Sequence, residues 1–73
     1  MATENSDTVT TYVDTVDSTT TYVGIAPRQS LTSSSKWQIS KVVTNGTIIY
    51  EKYPNGSDAF KFVWDDRASY TYE

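Results

Sequence analysis

Three charged residues in a row, Asp65, Asp66 and Arg67, stand directly behind Trp64 and form the sharpest polar cluster in the chain. Two carboxylates facing one atom could act as an acid and a base, or hold a cation. Neighbours in sequence point in different directions on a helix and on a strand, so this pair does not converge on a single reacting atom. The pattern predicts instead that one carboxylate caps or pairs with Arg67 while the other is solvated. Read this way, Trp64, Asp65 and Arg67 are a structural clasp that ends a small fold. Asp58 adds a third carboxylate nearby, but the D-x-[DN]-x-[DN]-G spacing of a calcium loop is missing, so no metal is expected.

The rest of the chain offers little else for chemistry. Nine serines and twelve threonines are present, without any histidine or cysteine to activate them. The same two absences exclude disulfides and the Cys/His zinc sites. Gly24, Gly46 and Gly56 are spread one per turn and do not make a phosphate-cradling loop. The reading is therefore of a non-enzyme with no catalytic residue and no cofactor.

Partners are bounded by charge. The net charge is -3, and the six basic residues are scattered from Arg28 to Arg67, which argues against nucleic acid. No apolar run approaches the roughly 18 residues needed to cross a membrane. The N-terminus lacks the basic patch and apolar stretch of a secretory signal. A chain of 73 residues makes one domain at most and is marginally stable alone. Without a disulfide or metal, it needs a tight core or other copies of itself.

Stepping along the chain gives the elements that would position these residues. Residues 1–21 are dominated by Thr, Ser and Asp, and are expected as an extended arm that lies along a neighbour. Residues 22–73 are expected as a small β domain. Tyr22 to Ile25 is a short strand in which Gly24 permits a bend or a close approach. Trp37, Ile39 and Lys41 alternate with Gln38, Ser40 and Val42, a period near two. Asn45-Gly46 predicts a tight hairpin turn, with a return strand from Thr47 to Tyr53. Pro54, Asn55 and Gly56 predict the next turn. A short helical turn is expected near 58–67, with Phe60, Val63 and Trp64 on one face, then a final strand at 69–72. The fold class is mostly β: a small antiparallel sheet of three to four strands, a helical turn and an N-terminal arm.

The aromatic residues complete the reading. In so small a chain Trp37 and Trp64 are expected in the core or at a subunit contact. Tyr12, Val13, Tyr22 and Val23 are candidate interface residues on the arm and first strand. Tyr50 and Tyr53 are exposed candidates for the same role, or, with a tryptophan, for stacking on a surface glycan.

Four words carry a resemblance: "YVGIA" at 22–26, "KWQISKV" at 36–42, "YPNGS" at 53–57 and "VWDDRASYTY" at 63–72. Together they resemble a family of very short tailed-phage proteins encoded among virion genes. That family ends on Val-Trp-Asp-x-Arg-Ala-Ser-x-x-Tyr. The resemblance covers residues 22–72 and leaves the Thr-rich arm unmatched. Pro54 stands where the family has Ala, and Lys61 and Phe62 also depart from its pattern. What the resemblance implies is a structural component of the virion, assembled with copies of itself and other virion proteins. It also implies that Trp37, Gly56, Trp64, Asp65 and Arg67 define the fold. The tail, neck or fibre apparatus is favoured over a capsid decoration protein.

Overall fold

The computed structural model describes residues 9–73. Five strands form one antiparallel sheet: β1 (Val9–Thr15), β2 (Thr20–Pro27), β3 (Ser35–Asn45), β4 (Ile48–Lys52) and β5 (Phe62–Val63). The first four are a meander in the order β1-β2-β3-β4, so sequence neighbours are also spatial neighbours. β5 pairs with the beginning of β3, and a 3₁₀ turn (Trp64–Ser69) follows it.

The expected arm is, in its described part, the first hairpin of the sheet, and the expected boundary at 21/22 falls inside β2. Residues 1–8 of that arm lie outside the described residues. Thr and Val favour extended backbone, as expected, but the ladder to β2 and side chains reaching the core tie β1 down. The hairpin closes without glycine or proline. Asp17 Oδ1 accepts hydrogen bonds from Thr19 N, Thr19 Oγ1 and Thr20 N, each at 2.9 Å. These bonds hold the Asp17 carboxyl below its ordinary value, because they favour the charged form.

The central hairpin matches its sequence signal, with a shift of one residue. Asn45 pairs with Ile48, so the two loop residues are Gly46 and Thr47. Gly46 alone takes the positive φ, at 65°, as in a turn with glycine at its first central position. At the next turn both Asn55 (φ 52°) and Gly56 (φ 73°) are left-handed. Gly56 N donates to Tyr53 O at 3.0 Å there.

The helical turn lies later than expected, and it is Phe62 and Trp64 that are buried, not Phe60. Their spacing of two belongs to a strand, and β5 supplies it. The expected last strand at 69–72 is reduced to a single bridge between Pro54 and Tyr72. Around it Tyr53 and Glu73 exchange main-chain hydrogen bonds of 3.1 and 2.9 Å, and Asn55 N donates to Thr71 O.

The core lies on one face of the sheet. Tyr22, Ala26, Trp37, Ile39, Phe62 and Trp64 are buried together, with Tyr70 and Tyr72 packed against them. Tyr12, Gly24 and Ile39 are in register across β1, β2 and β3 and share this face. The six-membered ring of Trp64 lies on Gly24. A Cβ at that position would overlap Cε3 and Cζ3 of Trp64 and approach Cε3 of Trp37 to 3.0 Å.

Candidate interaction surfaces

The acid that meets Arg67 is not the expected Asp65 or any other sequence neighbour. Arg67 Nε and Nη2 donate to Asp14 Oδ2 at 3.0 and 2.9 Å, across 53 residues of sequence. Neither Asp65 nor Asp66 is the partner. On the tight 3₁₀ turn those side chains diverge into solvent, and Asp65 contributes its backbone N, which donates to Thr32 O at 3.1 Å. Arg67 Nη1 donates to Trp64 O at 3.0 Å, and its guanidinium lies 4.5 Å from the Trp64 ring centroid. Tyr72 Oη donates to Arg67 O at 2.6 Å. The cluster is thus an acid-arginine-aromatic brace between the C-terminal segment and β1.

The two tryptophans sit inside this brace. Trp37 is fully buried and Trp64 is 5 % exposed. Tyr12 packs on both, with centroids 5.0 Å from Trp37 and 5.9 Å from Trp64. Trp37 Nε1 donates to Leu31 O at 3.0 Å, so the buried ring keeps a partner. A glycan-stacking surface would therefore have to use Tyr50 and Tyr53 without a tryptophan. Tyr53 Oη donates to Glu51 Oε1 at 3.2 Å, and Tyr50 Oη accepts from Asn45 Nδ2 at 3.3 Å. Of the residues expected at an interface, Tyr22 is buried against Tyr72, at 5.7 Å between centroids. It offers no surface for a partner.

Burial moves two phenols, Tyr72 and Tyr53, in one direction. Desolvation raises Tyr72 well above its ordinary 10.0, and the neighbouring Tyr22 and Tyr70 add to it. Tyr53 is also raised, by burial and by its hydrogen bond to Glu51. Among the described residues no cavity opens, and no three acidic side chains gather as a metal site would need. No described helix is long and apolar enough to cross a membrane.

What the geometry does offer is surface. The register places Thr11, Val13 and Thr15 of β1 beside Ile25, Val23 and Thr21 of β2. Ser40, Val42 and Thr44 of β3 and Ile49 and Glu51 of β4 continue the same face. Val13 is 63 % and Ile49 67 % exposed there. Ser40, small and flanked by Val23, Gln38 and Val42, is the sunken centre. No described strand or helix packs over this side: the 3₁₀ turn meets β3 and β5, and Trp64 fixes it on the opposite face. The loop after β4 reaches one end of it, where Gln38 Nε2 donates to Asp58 O at 2.9 Å.

The two long edges also differ. β1 is seven residues without lysine or proline, and its one charge, Asp14, is already held by Arg67. β4 is short and exposed and carries Glu51 and Lys52, features that discourage edge-to-edge pairing. Lys52 stands opposite Lys41 in the register. Like charges so placed repel, and each ammonium lies 5.8 Å from a tyrosine ring, Lys41 over Tyr72 and Lys52 over Tyr50. Val13 and Val23, expected at an interface, lie on the open face. The close approach expected at Gly24 is the one the Trp64 ring makes, whereas Asp14 goes unnoticed; its signal is an acid alone in a Thr-rich strand.

Comparison with known proteins adds no relative: no protein-family model, no curated protein and no solved structure matches the chain.

Proposed function

We propose that this protein is a non-enzymatic structural component of a tailed-phage particle, in its tail, neck or fibre apparatus, working by binding neighbouring subunits. The observation that supports binding is the unguarded β1 edge. A sheet edge presents a row of outward N–H and C=O groups, and an extended segment of a neighbour can add to it as a further strand. Such pairing needs no pocket, cofactor or activated nucleophile. The particle as its place rests on the resemblance of the four words at 22–72 to short virion proteins. The repeated-copy mode of action rests on the size of the chain, which has no cysteine for a disulfide and, among the described residues, no acidic cluster that could hold a metal to reinforce it.

Quantitative mass spectrometry of purified particles from the phage that encodes this chain tests the proposal. The expected result is a fixed multiple copy number per particle, retained through density-gradient purification. Presence in infected cells with loss from purified particles would overturn it.

A further inference from the structure

We infer that the open sheet face is the seat of a second copy of this chain, the two sheets stacking face to face as a reversible dimer. The inference deepens the assembly reading above and takes from it only the expectation of repeated copies.

Three observations select this occupant. The first is charge. The chain carries nine acidic and six basic residues, yet across β1 to β4 the paired register brings only Glu51 to this face, on the edge strand. Lys36, at the irregular start of β3, and Asp58, whose carbonyl accepts from Gln38, stand at its far end, away from Val13 and Ile49. Asp14, Lys41 and Lys52 are all in register with the opposite, covered face. Two copies of an acidic protein can therefore approach through this surface without opposing charges at its centre.

The second is area. Four strands about 4.8 Å apart and about seven residues long at roughly 3.3 Å each make a face of about 19 by 23 Å. A stacked pair removes on the order of 1,000 Å² of surface from water, the lower bound for a specific interface. That size fits a dimer that forms and dissociates with concentration.

The third is shape. Sheets stack aligned when their twists match, and a copy has the same twist by identity. Val13, Val23, Val42 and Ile49 then interdigitate across the pair. Thr11, Thr15, Thr21 and Thr44 around them can bridge through their hydroxyls.

Light scattering and sedimentation over a dilution series on the full chain test this inference, with Val13→Lys and Ile49→Lys as variants on two different strands. The full chain should double its molar mass as concentration rises. Each variant should hold the monomer mass at the same concentration, with unchanged far-UV circular dichroism and tryptophan emission. Both side chains are exposed in the protomer, so folding should survive; a variant that loses the native spectra is replaced by Val13→Thr or Ile49→Thr. A full chain that stays monomeric throughout overturns the inference, since the face must then await a different protein. A dimer that neither lysine disturbs also overturns it and moves the contact to the β1 edge. In both cases the particle assay above is unaffected, so failure here and failure of the virion reading are separable.

Discussion

The two faces of the sheet are built from the same four strands and obey different rules. One holds Tyr12, Tyr22, Gly24, Ala26, Trp37 and Ile39 under a cover supplied by β5, the 3₁₀ turn and the closing tyrosines. The other holds threonine, valine and isoleucine around Ser40, and only the loop at Asp58 reaches its Gln38 end. Alternation puts both sets on each strand, so the contrast lies in residue type. Aromatic rings with a polar handle go where a carbonyl can receive it, as Trp37 does at Leu31. Branched aliphatic and hydroxyl side chains go where they can stand against water or against a partner. The difference teaches that the molecule's stability belongs to one face, leaving the other free for association.

Breaking the covered face should therefore cost most. Trp64→Ala is expected to remove about 3–5 kcal/mol. A domain of this length has a total stability of only about 4–11 kcal/mol. Urea unfolding followed by circular dichroism should show a much reduced midpoint or no cooperative transition at all. Gly24→Ala comes next, at about 1–3 kcal/mol, because the new methyl would meet a wedged indole with no room to yield. The same urea series reads it, and a loss under 0.5 kcal/mol would mean that the ring does not lie where described.

Raising the pH is a milder way into the same face. Tyr72 has a folded pKa above its ordinary 10.0 because it is buried. Its contribution is fully present below pH 10 and is lost as pH climbs past 10 towards the folded value, while the unfolded chain ionises first. Tyr72→Phe should remove that alkaline loss from a plot of melting temperature against pH. Arg67→Ala should cost about 1–2 kcal/mol, combining a partly exposed ion pair, a cation–π contact and a main-chain acceptor left without its donor. Asp14→Asn should cost less than that, since it spares the last two. At the bottom of the scale, Val13→Lys on the open face should move protomer stability by no more than about 0.5 kcal/mol. Equal losses from Val13→Lys and Arg67→Ala would dissolve the distinction between the faces.

The parts that were legible in the sequence are those that announce themselves locally. The alternation around Trp37, Ile39 and Lys41 and the glycine-bearing turns at 46 and 56 lead directly to β3, β4 and the loop after them. The first hairpin was hidden because its turn is made by a carboxylate bonding to its own backbone, with no glycine or proline to mark it. Its first strand also reads as too polar for a sheet, since the residues β1 turns to the core face are Thr10, Tyr12 and Asp14. Phe60, Val63 and Trp64 suggested a helical face because spacings of three and four are present. The competing spacing of Phe62 and Trp64 won, because β3 offered a vacant stretch at Ser35 and Trp37 to pair with. The partner of Arg67 lies 53 residues away and cannot be read from its neighbours.

The separation of meander and cover has a consequence for biosynthesis. Chains are made from the N-terminus at about 5–20 residues per second, so all four meander strands are synthesised before residues 62–72. Without those later residues Gly24 and Trp37 lack the Trp64 ring that covers them in the full fold. A chain truncated near residue 60 would lack Phe62 and Trp64 and leave that surface exposed, and a reporter fused upstream of β1 would disturb maturation less than one inserted before β5.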